Sequence, residues 1–276
     1  MTIPTRRLAQ MSTSYPKSNI FMAAKDSPVA PWKRALNYFV VVVAVVAVVG
    51  VSLSMAGIAL NFDFVVQYRA RIWDGFCLTV FISLFSLVGS LIIGIPVALG
   101  QNARFLPVRY LCDFYVKIIR GTPLIAQIYL FYYIIGTAWG VENRVVAGIL
   151  ILSVFAGAYI AEIIRGGIMA VDEGQNEAGR SLGLNFAQTM LYIIIPQALK
   201  NVLPALANEF IVLLKETSVA GYVAVTDLTK GGDIIRSRTF QAFMPLIGVA
   251  VIYLVMVMFF TWLVGILERR LRDSER

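Results

Sequence analysis

The sequence predicts an all-α integral membrane protein: six transmembrane helices, with a polar, broken loop between the fourth and the fifth. Three observations carry that prediction. Of 276 residues, 59% are hydrophobic and 14% charged, where a soluble domain carries roughly 25% charged. The apolar residues fall into runs of about 20, the length a helix needs to cross a hydrocarbon core. Cations collect in the two tails and beside particular span ends, the bias that marks the cytoplasmic side of such proteins.

Taken in order, residues 1–34 are polar and carry Pro4, Pro16, Pro28 and Pro31, the composition of a mobile tail. The apolar run that follows starts too late and runs too long for a signal peptide. The tail holds Arg6, Arg7, Lys17, Lys25, Lys33 and Arg34 against Asp26 alone, which predicts a cytoplasmic N-terminus. The first span, 35–60, is uncharged and rich in valine. The second is 75–100, with Pro96 near its end, and Arg104 and Arg109 follow it. The third is 111–136 and the fourth 145–164. The fifth, 204–225, is weak because Glu209, Lys215 and Glu216 lie inside it. The sixth, 245–267, leads into a tail with Arg269, Arg270, Arg272 and Arg276. An even number of spans returns this tail to the cytoplasm. The external loops, 61–74, 137–144 and 226–241, hold fewer cations over a comparable length.

Composition excludes several chemistries. There is no histidine, and Cys77 and Cys112 fall in or beside apolar runs, so neither a zinc cluster nor a disulfide framework is expected. No Gly-x-x-x-x-Gly-Lys-Ser/Thr phosphate loop occurs, so the chain hydrolyses no nucleotide by that route. The net charge of +8 follows from cytoplasmic cations and does not point to nucleic acid.

The stretch EAGRSLGLNFAQTMLYIIIP, residues 177–196, is too polar to cross a bilayer. Asn185 can cap a helix over 186–195, with Gln188 reaching back to it. Ala187, Met190, Leu191 and Ile194 then share one face. A short helix over 175–182 precedes it, Gly183 supplies the turn, and Pro196 closes the run. Two capped helices meeting at an angle form a cytoplasmic knuckle. An amphipathic segment resting on lipid fits the same pattern.

The same residues resemble the cytoplasmic loop of the membrane subunits of ATP-binding-cassette importers. That loop reads Glu-Ala-Ala, three residues, Gly, nine residues, Ile-x-Leu-Pro. Here it reads Glu177-Ala178-Gly179, then Gly183, then Ile193-Ile194-Ile195-Pro196, with Gly179 and Ile195 as the two departures. RGTPLIAQIYLFYY (120–133), AYIAEIIRGGIMAVDEGQNEA (158–178) and LPALANEFIVLLKETSV (203–219) look like the permeases of polar amino-acid importers. The resemblance covers 73–276, read as a permease domain of five spans with a coupling loop at 172–200. Members commonly have five spans and an external N-terminus, so 35–60 is an additional first helix.

The resemblance implies that Glu177, Ala178, Gly179, Gly183, Ile193 and Pro196 belong to coupling helices docking on an ATPase subunit. It further implies a dimer of such ATPases using ATP and Mg, a second permease chain (alike or paralogous), a substrate-binding protein and an amino-acid substrate. The chain itself is expected to bind no cofactor and no metal, to touch membrane lipid, and to sit in the bacterial inner membrane with both termini cytoplasmic.

The residues leave the translocation path more open. Arg120-Gly121-Thr122-Pro123 falls within an expected span, where a charge is expensive and broken helices line transport sites. Alternatively Arg120 snorkels to the interface with Lys117. Tyr159 and Glu162 share a helical face, and Arg165 can pair with Glu162. Lys215, Glu216, Thr217 and Ser218 are the most polar point of any span, satisfied either by a watery path or by packing between subunits. Tyr129, Tyr132 and Tyr133 form an aromatic wall or an interface belt. The resulting expectation is the permease subunit of an ATP-driven importer for a polar amino acid. The alternative is an ion- or proton-coupled secondary transporter with Glu162, Glu209 and Glu216 as carriers.

Overall fold

A computed structural model of the chain describes residues 30–58 and 61–273, and all regular structure among them is helical. Residues 1–29 of the expected tail, 59–60 of the first expected span and Arg276 lie outside the described residues. The chain divides into two units, Met1–Leu60 and Asn61–Arg276. In the first, α1 (Pro31–Met55) begins on a proline, whose missing N–H would have had no partner in the first turn anyway. No charged residue follows Arg34 in this helix.

Among the described residues the second unit contains ten α-helices. They are α2 (Asp63–Gln67), α3 (Arg69–Gly100), α4 (Leu106–Gly121), α5 (Leu124–Leu130), α6 (Arg144–Met169), α7 (Gly174–Ser181), α8 (Phe186–Thr189), α9 (Ile195–Ala220), α10 (Leu228–Thr239) and α11 (Met244–Asp273). π-Helical turns extend α5 (Phe131–Gly136) and join α8 to α9 (Met190–Ile194).

The centre of this unit is a parallel seam between α3 and α6. Thr79, Ser83, Ser86 and Ser90 recur on one face of α3 and are fully buried. Small side chains let two backbones approach where lipid offers no hydrophobic drive to do so. The Ser86 hydroxyl donates to the Ile149 carbonyl, and Ser153 returns a bond to the Ser86 carbonyl, both at 3.4 Å. Ile82, Leu152 and Leu213 fill the core where α9 joins the pair. Ile92, Leu99, Phe259 and Trp262 stay exposed, as a lipid-facing surface demands.

Among the described residues five helices are long and apolar enough to cross a membrane, and the pair α4–α5 adds a sixth crossing if it counts as one. Here the structure corrects the expected third span. It is not one helix over 111–136 but two segments bent by 112°. Pro123 lacks an N–H, and Thr122 before it is extended at ψ 147°, as a residue preceding proline prefers.

The expected loop 226–241 is also corrected. It contains the 12-residue α10, capped by the buried Asp227, whose carboxylate accepts from the backbone N–H groups of Thr229 and Lys230. Gly75 lets α10 sit directly on α3: a Cβ at residue 75 would stand 2.9 Å from the Leu228 Cα. Thr79 Oγ1 accepts from the Leu228 N–H there.

Candidate coupling knuckle and charged pocket

The stretch 177–196 folds as capped helices, with one change from expectation. α7 starts where Asp172 Oδ1 accepts from Gly174 N–H at 2.7 Å. It ends in a Schellman motif: Leu184 N–H donates to the Gly179 carbonyl, Gly183 N–H to that of Arg180, and Gly183 adopts φ +78°. Asn185 and Gln188 then form the reciprocal capping box, both bonds at 2.9 Å. The second helix does not close at Pro196. It passes through the π turn, which absorbs the missing N–H of that proline, and continues as one helical rod, Phe186–Val223.

Of the residues expected on one apolar face, Met190 is half-buried and the rest divide between interior and surface. Thr189 and Ile194 are buried, whereas Ala187 and Leu191 are exposed. Thr189 turns inward because Gly179 has no side chain to oppose it. Glu177, Ala178, Gly183 and Pro196 are exposed, Gly179 is buried and Ile193 is half-buried. Leu182 and Phe186 stand out beside Gly183, so the knuckle offers an apolar tip with Glu177 and Arg180 near it. Gln197 Nε2 donates to Gln175 Oε1 at 3.2 Å, tying the rod to α7.

A second constellation forms where α4 crosses α6. Arg165 grips Glu162 with two bonds, Nε at 2.9 Å and Nη2 at 2.8 Å. Arg120, the last charged residue of α4, reaches the same carboxylate at 3.2 Å and lays its guanidinium 5.4 Å from the Tyr159 ring centre. Both partners of Arg120 are on α6, so its side chain bridges the two helices. Thr122 marks the bend itself, its hydroxyl returning to the Ile118 carbonyl. Beside them is a cavity of about 580 Å³ lined by Gln101, Asp113, Lys117, Arg120, Glu162 and Arg165 among others.

Lys215, Glu216, Thr217 and Ser218 lie two turns from the far end of the rod. Lys215 is exposed, Glu216 and Ser218 half-buried and Thr217 buried. Both hydroxyls bond back to carbonyls of their own helix, Thr217 to Leu214 and Ser218 to Lys215. Among the described residues no hydrogen bond or ion pair joins this group to Arg120, Tyr159 or Glu162. Tyr129, Tyr132 and Tyr133 form a ring cluster, Tyr129 stacking on Tyr133 at 5.9 Å and meeting Tyr222 edge-on, and Tyr132 meeting Tyr133 edge-on.

Three polar residues escaped the sequence reading. Gln101 Nε2 donates to both Asp113 and Glu162, joining α3 to α4 and α6. Gln127 Nε2 reaches the Ile119 carbonyl at 2.7 Å and Thr122 twice, holding the bend. A buried amide four residues after a mid-span proline is a signal that could have found Gln127, because a broken turn frees carbonyls that need a donor. Asp113 had the signal of any acid in a span.

The model of the family described as binding-protein-dependent transport system inner membrane component matches residues 90–273. The probable glutamine ABC transporter permease protein GlnM of Bacillus subtilis (strain 168) is 40% identical over 201 residues, covering 73% of this chain and 93% of that protein. The arginine transport system permease protein ArtQ of the same organism is 33% identical over 217 residues, covering 78% and 99%. Among solved structures, the crystal structure of an amino acid ABC transporter with histidines is similar at a TM-score of 0.73. It is 41% identical, and the match covers 77% of this chain and all of that one.

Proposed function

The chain belongs to the inner-membrane components of binding-protein-dependent transport systems, and from that premise we propose that it carries a polar amino acid inward. It is a membrane-spanning permease subunit of an ABC importer. The similarity to glutamine and arginine permeases supports the substrate class. ATP with Mg is hydrolysed by a separate pair of ATPase subunits, and a substrate-binding protein delivers the amino acid. A second permease chain completes the assembly. Both termini lie in the cytoplasm, which places α7, α8 and the charged pocket on the cytoplasmic side. α1 is an addition ahead of the permease domain.

One observation carries the mechanism: α8, the second helix of the knuckle, and the polar group at 215–218 are parts of a single helical rod of 38 residues. A stiff, capped end at Asn185 can receive a push from the ATPase, with Glu177, Ala178, Gly179, Gly183, Ile193 and Pro196 shaping the contact. The push travels along the rod to Lys215, Glu216, Thr217 and Ser218 without crossing a loop, and alternating access follows from tilting that rod. Arg120, Thr122, Tyr159 and Glu162 form a second part of the path, at the bend of α4 and α5. Family membership favours this reading over the ion-coupled one.

The test is co-purification from the native membrane in mild detergent, with ATP hydrolysis assayed on the product. The wild type is expected to bring down an ATPase, and Glu177→Arg with Gly183→Val to lose it, because valine is strained at φ +78°. A chain that purifies alone and hydrolyses nothing would sink the coupling reading.

A further inference from the structure

Glu162 holds two arginines unequally. Arg165 is bidentate and one turn away on the same helix, a fixed counter-ion. Arg120 makes one longer ion pair, at 3.2 Å, and its side chain is 43% exposed. It stands one residue before the end of α4 and lines the open cavity, so its side chain has space into which it can withdraw. Its guanidinium is nevertheless seated as a ligand would be, carboxylate on one side and the Tyr159 ring on the other. The third wall is Gln101, 9% exposed, which spends its amide hydrogens on Asp113 and Glu162. Gln101 Oε1 is left buried with no hydrogen-bond partner beside the same cavity. A buried acceptor without a donor is costly.

A carboxylate, an aromatic face and an unpaired amide oxygen together make a site for a cation with N–H donors. We propose that Arg120 is a tethered occupant of a cation subsite formed by Glu162, Tyr159 and Gln101, and that the ammonium group of the substrate displaces it. This rests on the reading of the charged pocket as part of the substrate path. Displacement leaves Glu162 neutralised by Arg165, so no bare carboxylate is exposed when Arg120 leaves. The incoming ammonium supplies Gln101 Oε1 with the donor that it lacks. Lys117, on the stripe of α4 that lines the cavity, is the cation positioned for the carboxylate of an amino acid. The plug also favours zwitterions and cations over anions, since an anion gains nothing by competing for this subsite.

The test uses the complex of this chain with its ATPase in lipid nanodiscs, after wild-type ATP hydrolysis has been shown to respond to substrate. Equilibrium binding of radiolabelled L-glutamine and L-arginine is then measured without nucleotide. If the plug occupies nine-tenths of resting molecules, Arg120→Ala tightens binding of the carried amino acid about tenfold. Low-millimolar guanidinium returns it to the wild-type value. Glu162→Gln abolishes both effects. Arg120→Lys, which keeps the charge but loses the planar stack, falls between.

A second readout does not depend on which amino acid is carried. Guanidinium is expected to raise the thermal midpoint of Arg120→Ala, and to leave the wild type and the Arg120→Ala/Glu162→Gln variant unchanged. Binding weakened or unaltered in Arg120→Ala, or no response of that variant to guanidinium, overturns the proposal. The permease reading survives either result, because it stands on the co-purified ATPase.

Discussion

Gly179 and Thr189 pack together so closely that a Cβ on the glycine would stand 2.7 Å from Thr189 Cγ2 and 2.8 Å from Oγ1. The missing methyl of α7 is thus replaced by the side chain of α8, and the departure from the Glu-Ala-Ala pattern has a structural partner. Gly179→Ala is expected to destabilise the knuckle by about 1–3 kcal/mol, the usual cost of overpacking. It should lower both the thermal midpoint and the yield of co-purified ATPase. Adding Thr189→Ala removes both opposing atoms and should restore them. A single variant as stable and as well coupled as the wild type would show that this contact does not set the geometry.

Gln127 makes the bend of α4 and α5 a fixed feature and not a loose joint. Its amide satisfies the Ile119 carbonyl and both oxygens of Thr122, 4% exposed in an apolar surrounding. Gln127→Leu keeps the volume and abandons those acceptors, a loss of about 1–3 kcal/mol for a buried group left unpaired. The thermal midpoint in nanodiscs should fall accordingly, while Gln127→Glu, which keeps acceptors but loses donors, should do no better. Equal midpoints for all three would mean that water serves those carbonyls.

The spans were legible because a hydrocarbon core demands long apolar helices, and the caps because Asn185, Gln188 and Gly183 act on neighbours two or three residues away. What stayed hidden depends on partners distant in the chain. Whether Arg120 turns toward α6 is decided by Glu162 and Tyr159, some forty residues on. The bend at Thr122-Pro123 could be suspected, but its angle comes from α5 packing on α6 and α9. α10 was missed because its polar sequence, LTKGGDIIRSRT, reads as a loop until Asp227 and the bare face of Gly75 give it an anchor. The continuation of the rod past Pro196 needed the π turn, which local propensity does not announce.

Asp227 supplies a pH dependence. Burial raises its pKa above the usual value, and the bonds from Lys230, Thr229 and Tyr253 only partly oppose that. A raised folded-state value means that the folded chain binds the proton more tightly than the unfolded one, whose value is about 3.9. Its contribution is therefore fullest at low pH and is lost as pH rises through the folded value. Asp227→Asn keeps an oxygen for the cap and removes the titration. The thermal midpoint of the wild type is expected to decline relative to this variant from about pH 4 upward. Parallel curves would show that the carboxylate is as comfortable charged as neutral.

The rod Phe186–Val223 makes a separable prediction about coupling. From Phe186 to Lys215 it spans roughly 44 Å at 1.5 Å per residue. Leu191 and Tyr192 lie in its π turn with their side chains exposed, so replacing both with glycine removes little packing. It costs about 1 kcal/mol of helix preference at each position and softens the rod between the knuckle and the membrane. The docking surface around Glu177 and Gly183 is untouched, so the ATPase should still co-purify and still hydrolyse ATP. What should fall is the stimulation of that hydrolysis by substrate, together with the amino acid taken up per ATP in proteoliposomes. If uptake per ATP is unchanged, force reaches the path by another route, and the seam of α3 and α6 becomes the element to test. If the ATPase is lost as well, the π turn belongs to the docking surface and not to the lever behind it.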